Sequence, residues 1–247
     1  MLSHALSIFF IKLAVGLLPW LALIRIQDTG KTFFRLLIFL SFFAATLGLL
    51  LHFSSKNWIL IAFVCTMFVL FFALSRFEFE KMNFSILLAF ILGVITIFVQ
   101  GFENPQVSGL HISFNFILGS LLMGSALLSM ILGHWYLIRP RLSFHYLKRS
   151  ILVFLALLIF RLAFILCTLL FEPGGFKLLI HRVGDILFYT RFLWGGILPL
   201  FFLFFAYQCA QVRSNRSATG ILYFTTGSIF MGELMADYLS LISGIPI

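Results

Sequence analysis

Long apolar runs, broken at short intervals by polar or turn-forming residues, organise the whole chain. They fall at about 5–24, 33–53, 57–75, 83–100, 114–138, 151–171, 186–212 and 220–243. A helix of about 20 apolar residues spans the roughly 30 Å hydrocarbon layer of a bilayer. The pattern therefore predicts eight transmembrane helices. The breaks carry turn chemistry, as in Asp28-Thr29-Gly30-Lys31, Glu103-Asn104-Pro105, Arg139-Pro140-Arg141 and Glu172-Pro173-Gly174-Gly175. Only a few residues part the second run from the third, which predicts a tight helical hairpin. The first run has no basic leading segment and no small-residue cleavage site, and Lys12 interrupts it. It reads as a spanning helix rather than a signal peptide.

Composition agrees with the pattern. Of 247 residues, 62% are hydrophobic and 10% charged, with 34 phenylalanines. Soluble domains run nearer 45–50% apolar and about 25% charged. The expected fold is all-α: residues 1–247 form one polytopic membrane bundle with no soluble domain. A soluble enzyme, a nucleic-acid-binding domain and a secreted disulfide module are excluded. Cys65, Cys167 and Cys209 all fall inside apolar runs and form no C-x-x-C, so they read as small membrane-buried residues.

The net charge of +9 then reads as a topology signal rather than a nucleic-acid signal. Connections after the odd-numbered runs hold Arg25, Lys31, Arg35, Arg76, Lys81, Arg139, Arg141, Lys148, Arg149, Arg213 and Arg216. The opposite side holds Lys56, Lys177 and Arg182. This asymmetry puts the odd connections in the cytoplasm and both termini on the non-cytoplasmic side, with a bacterial or organellar inner membrane as the expected location.

Five ionisable residues lie within the runs: Lys12, Arg161, Arg191, Glu233 and Asp237. A charge at mid-helix in a bilayer costs about 2.5–3.5 kcal/mol even on lenient insertion scales, so each needs a partner or water. Glu233 and Asp237 are spaced i,i+4 and share a helix face, which Thr226 and Ser240 extend. Two readings follow: a structural ion-pair cluster that locks helices together, or a proton relay or polar-headgroup site. Depth along its run ranks Glu233 ahead of Asp237 for the functional role. Gly195, Gly196 and Pro199 beside Arg191 predict a kink, because proline lacks a donor and crowds the preceding turn.

The fifth run ends in Gly133-His134-Trp135-Tyr136 and is followed by Arg139, Arg141, Lys148 and Arg149. His134, Trp135 and Tyr136 are candidate contacts to a quinone or haem, and the four basic residues form a candidate anionic-lipid patch. The bland alternative is an interfacial aromatic belt followed by topogenic charges. His52 and His181 are weaker candidates for outer-side haem ligation, with exposed interfacial histidines as the simpler reading. No catalytic motif or metal site is read.

Taken together, these features predict a membrane subunit of a larger energy-transducing complex, transferring electrons or protons and binding a quinone or haem b. Any enzymatic role is then that of a non-catalytic or quinone-binding subunit of an oxidoreductase, with the bilayer and other membrane subunits as partners. The alternatives are a small proton-coupled or ion transporter or channel, and a structural subunit without chemistry of its own.

Overall fold

The computed structural model describes residues 2–24, 26–51, 58–76, 83–102, 109–138, 143, 145–171 and 185–243. Every element among the described residues is helical. They are α1 (Leu2–Leu17), a 3-10 turn (Pro19–Leu23), α2 (Ile26–Thr29), α3 (Lys31–Leu51), α4 (Trp58–Arg76), α5 (Asn83–Phe102), α6 (Gly109–Ile138) and α7 (His145–Phe171). The chain continues with α8 (Asp185–Phe192), a π turn (Leu193–Ile197), α9 (Leu198–Gln211) and α10 (Asn215–Ser243).

Six segments are long and apolar enough to cross a membrane: Leu2–Leu21, Lys31–Leu51, Phe84–Phe102, Leu110–Ile138, His145–Phe171 and Phe188–Gln211. The fold is thus compatible with an integral, multi-pass membrane protein. The apolar stretch of α4, Trp58–Ala73, is shorter. The 29 residues of α10 suffice in length, but Thr225, Thr226, Ser228, Glu233, Asp237 and Ser240 keep that helix polar.

Several boundaries depart from the apolar runs for identifiable reasons. The first run reaches about residue 24, yet α1 stops at Leu17. Pro19 offers no N–H to the helical ladder and disfavours helix in the residue before it, so the chain tightens into the 3-10 turn. In contrast, α7 begins at His145 and α10 at Asn215, ahead of their apolar runs. Helical hydrogen bonding does not stop where hydrocarbon would. Gly30 turns the chain between α2 and α3 with φ 84°, a left-handed conformation that glycine adopts freely.

The centre of the bundle is α1 against α6. Their most apolar windows are 67% and 83% buried, against 28% for α7. Small residues permit the contact: a Cβ on Gly16 would collide with the Ser120 carbonyl, and one on Gly124 with the Gly16 carbonyl. Hydroxyls bind the neighbours further. Ser120 donates to the Lys12 carbonyl at 2.8 Å, Ser41 to that of Ala14 at 2.7 Å, and Ser7 to that of Gly48 at 2.7 Å. On the other side of α6, Thr226 of α10 donates to the Ala126 carbonyl at 3.1 Å.

The π turn has a local cause. The Leu198 N–H reaches back to the Leu193 carbonyl, five residues away. In that register the Trp194 carbonyl would need an N–H from residue 199, which is Pro199 and has none. Ser228 of α10 supplies the missing donor, its Oγ lying 2.5 Å from the Trp194 oxygen. The kink expected from Gly195, Gly196 and Pro199 takes this form, repaired by a neighbouring helix.

Candidate functional site

Buried among α1, α6, α7, α8 and α10 is a cluster of five charged side chains. Lys12, Arg161, Arg191, Glu233 and Asp237 are between 0% and 2% exposed. Their levels match along the helix axes. Lys12 is ten residues from the start of α1, Arg161 ten from the end of α7 and Glu233 ten from the end of α10. At 1.5 Å per residue each sits about 15 Å from its helix terminus.

Glu233 is the hub. Its Oε2 accepts from Lys12 Nζ at 2.8 Å and from Arg161 Nη2 at 2.9 Å. Its Oε1 accepts from Arg161 Nε at 2.7 Å and more weakly from Arg191 Nη2 at 3.4 Å. An ionised carboxylate has about four lone-pair directions, and these contacts use them all. Arg161 engages Glu233 side-on through two nitrogens, the geometry that charge-assisted pairs favour.

The remaining donors and acceptors are partly matched. Lys12 Nζ also donates to Asp237 Oδ1 at 2.6 Å and lies 5.5 Å above the centre of the Phe116 ring, close enough for a cation–π contribution. Arg161 Nη1 donates to Asn115 twice, to its backbone carbonyl at 2.6 Å and its Oδ1 at 3.0 Å. Asp237 Oδ2 and Arg191 Nε have no hydrogen-bond partner. Buried polar atoms nearly always have one, so these two mark the open positions of the cluster.

Backbone packing holds the site in place. A Cβ on Gly119 would press on Glu233 Oε2 and on Lys12 Nζ. One on Gly195 would fall on Arg191 Nη1, and one on Gly232 on the Gly195 backbone. Glycines at 119, 195 and 232 therefore let α6, the π turn and α10 close around the charges. The polar stripe of α10 faces inward throughout: Thr226, Glu233, Asp237 and Ser240 are all buried.

Asn115 escapes the reading of the sequence because it stands at the edge of an apolar run. An amide inside such a run is the signal that could have singled it out. The pattern also ranks Glu233 first by depth. The hydrogen bonds separate the two acids differently, since Glu233 is saturated and Asp237 keeps an open oxygen.

The end of α6 is arranged otherwise. Successive helical residues project about 100° apart, so His134, Trp135 and Tyr136 diverge. His134 is exposed, its ring 6.4 Å from that of Tyr223. Trp135 donates from Nε1 to the Thr29 carbonyl at 3.2 Å and meets the Phe33 ring at 5.3 Å. Tyr136 turns inward, its hydroxyl donating to the Ser143 carbonyl. Tyr146 likewise donates to the Asp28 carboxylate. Trp135 and Tyr136 thus clasp the end of the bundle, and the structure does not gather the three residues into one pocket. At the start of α7, Lys148 is half-buried and Arg149 exposed. Arg139, Arg141, His52 and His181 lie outside the described residues. Among the described residues, no three His, Cys, Asp or Glu side chains come together as a metal site.

Chemically, the cluster can hold charge in a low-dielectric core, exchange a proton at Asp237 Oδ2, or accept an acceptor group at Arg191 Nε. Compared with known proteins, the chain matches no family model, no curated sequence and no solved structure.

Proposed function

We propose that the chain is an eight-span membrane protein whose buried charge cluster passes protons within the bilayer, as the membrane subunit of a larger energy-transducing assembly. In this reading α4 and α10 also span, no soluble domain is present, and both termini lie on the non-cytoplasmic side. The eleven-to-three bias of basic residues between the two sets of connections supports that orientation.

One observation carries the functional reading: Asp237 is buried, bound through Oδ1 to Lys12, and keeps Oδ2 unpartnered. A carboxylate with one anchored and one open oxygen can take up and release a proton without losing its place. Removing a charge from water costs several kcal/mol even after relaxation. Glu233 alone contacts a cation from each of α1, α7 and α8, so Asp237 is a charge beyond what locking these helices to α10 requires. The matched depth of about 15 Å also corresponds to half the roughly 30 Å hydrocarbon thickness, where a relay between two aqueous faces is needed.

The test is proton uptake into liposomes containing the purified protein with its co-purifying subunits, followed by an internal pH-sensitive dye. Asp237→Asn keeps an acceptor for Lys12 but removes the exchangeable proton, and should abolish uptake while the protein still assembles. Undiminished uptake by Asp237→Asn would refute the relay. Orientation is checked separately by labelling introduced cysteines, with Ser143→Cys reacting from the cytoplasm and Gln106→Cys from outside.

A second reading is a small proton-coupled or ion transporter acting alone. It is favoured by one feature: all three cations and both carboxylates of the cluster are carried by this chain. Uptake by the isolated chain, without co-purifying subunits, would select it.

A further inference from the structure

Counting charge across the cluster leaves a remainder. Lys12, Arg161 and Arg191 are three cations, while Glu233 and Asp237 are two carboxylates, and no other charged side chain is buried among the described residues. With every group ionised the cluster carries one surplus positive charge. Lys12 and Arg161 are each bound to a carboxylate at 2.9 Å or less. Arg191 touches only an already saturated Glu233, at 3.4 Å, and its Nε–H has no acceptor. The surplus therefore resides on Arg191, which is 2% exposed.

No rearrangement within the cluster removes this remainder. If Arg191 turned to the open Asp237 Oδ2, hydrogen bonding would improve, but three cations would still face two carboxylates. An uncompensated charge in the interior costs several kcal/mol, and in a bilayer no bulk water is near to reduce it. Arg191 Nη1, in contrast to Nη2, sits against backbone. A Cβ at residue 195 would displace its Nη1, and one at residue 232 would come within 3.3 Å of the same atom. The guanidinium is the residue type suited to a planar or small anion, because it offers parallel N–H donors in a fixed fork.

We propose that Arg191 forms, with its open Nε–H, a binding site for one small monovalent anion such as a halide or a simple carboxylate, which brings the buried cluster to neutrality. This rests on the reading that the cluster is the working centre of the protein. It adds a ligand class: the bound anion accepts from Arg191, while Asp237 keeps the exchangeable oxygen. A proton taken up at Asp237 would then enter a centre already balanced by the anion, and a proton and an anion arriving together would leave the charge of the cluster unchanged.

The experiment uses the full chain, purified in detergent, with its melting temperature followed as chloride or formate replaces gluconate at constant ionic strength. The wild type should show a saturable rise in Tm with chloride or formate. In Arg191→Gln that rise should vanish, and the variant in gluconate should be at least as stable as the wild type, because two cations then match two carboxylates. Arg191→Lys keeps the charge but loses the fork, and should retain the rise with half-saturation at about tenfold higher concentration. It also serves if Arg191→Gln does not fold. A wild type without an anion response, or a response equal in Arg191→Gln, overturns the site. Asp237-dependent proton uptake without any anion response sinks the anion site alone. An anion response without proton uptake sinks the relay alone.

Discussion

Replacing Glu233 with glutamine removes one charge from the hub and changes almost nothing in volume. Glutamine keeps an acceptor oxygen, but the four donor contacts from Lys12, Arg161 and Arg191 lose their anion. The cluster then holds three cations against Asp237 alone. Removing one partner of a buried pair costs about 3–5 kcal/mol because the other is left uncompensated. At about 2–4 °C per kcal/mol for a chain of this size, Tm should fall by about 6–20 °C. Arg149→Gln, at an exposed position, is the control and should shift Tm by less than about 2 °C, since exposed substitutions stay within about 0.5 kcal/mol. The decisive variant is Glu233→Gln combined with Arg161→Met. It removes one charge of each sign, so it should be more stable than Glu233→Gln alone, with a coupling of about 1.5 kcal/mol or more between the two sites. Thermal unfolding, followed by loss of the monodisperse peak in size-exclusion chromatography, reads the wild type, these three variants and Arg161→Met alone. If Glu233→Gln behaves like Arg149→Gln, or if the double substitution is the sum of its parts, the hub does not hold the helices together as argued.

Three further outcomes are expected. Gly119→Ala should lower stability by about 1–3 kcal/mol through overpacking, because its Cβ meets Glu233 and Lys12; Gly227→Ala, with nothing within 4 Å, should instead raise it by about 0.5–1 kcal/mol, both read as shifts in Tm. Ser228→Ala should cost about 1–3 kcal/mol by orphaning the Trp194 carbonyl, and the cost should shrink in a Pro199→Ala background, where an N–H becomes available to that oxygen. His134→Ala, at an exposed ring, should leave stability within about 0.5 kcal/mol of wild type; loss of quinone reduction or of a haem spectrum at unchanged abundance would then mark it as a contact residue, and a fall in abundance would make it a packing residue.

What the sequence reveals and conceals here follows from the solvent the protein is built for. Runs of apolar residues this long locate helices because only a helix satisfies all its backbone groups within one segment in hydrocarbon. Charges inside those runs, such as Lys12 and Arg161, are visible for the same reason. Rotation about each helix axis is not visible. In water, an apolar face and a polar face fix which side turns inward. In α4, Phe63 is buried while Phe68 and Phe72 are exposed, and nothing in residue type separates them. Lipid and protein core are both apolar, so the pattern carries no contrast. Lys12, Arg161 and Arg191 are legible as the counter-charges of Glu233 and Asp237, but which cation meets which oxygen is not, because that depends on how four helices are turned. Repairs between helices, such as Ser228 to the Trp194 carbonyl, are invisible for a second reason. They join residues that only the fold brings together. Proline inside the run at 186–212 hints at a defect in the ladder, but not at a neighbour that mends it.

The π turn between α8 and α9 also sets a phase. The buried positions flanking it include Arg191, Gly195, Pro199 and Leu203, three consecutive steps of four residues. An uninterrupted α-helix advances about 100° per residue, so twelve residues would carry Leu203 about 120° away from Arg191. Counting one residue as an insertion, which is what a π turn amounts to, reduces the offset to about 20°. The surplus residue is therefore the reason that the guanidinium below and the leucine above can face the same neighbours. Chain length between them acts as a tuning element, independent of what the residues are. Winding Leu193–Ile197 as an uninterrupted α-helix would keep every residue in place along the chain, yet turn one half of the helix by about 100° relative to the other. Either Arg191 would swing toward lipid, or Leu203, Ala206 and Ala210 would leave the core.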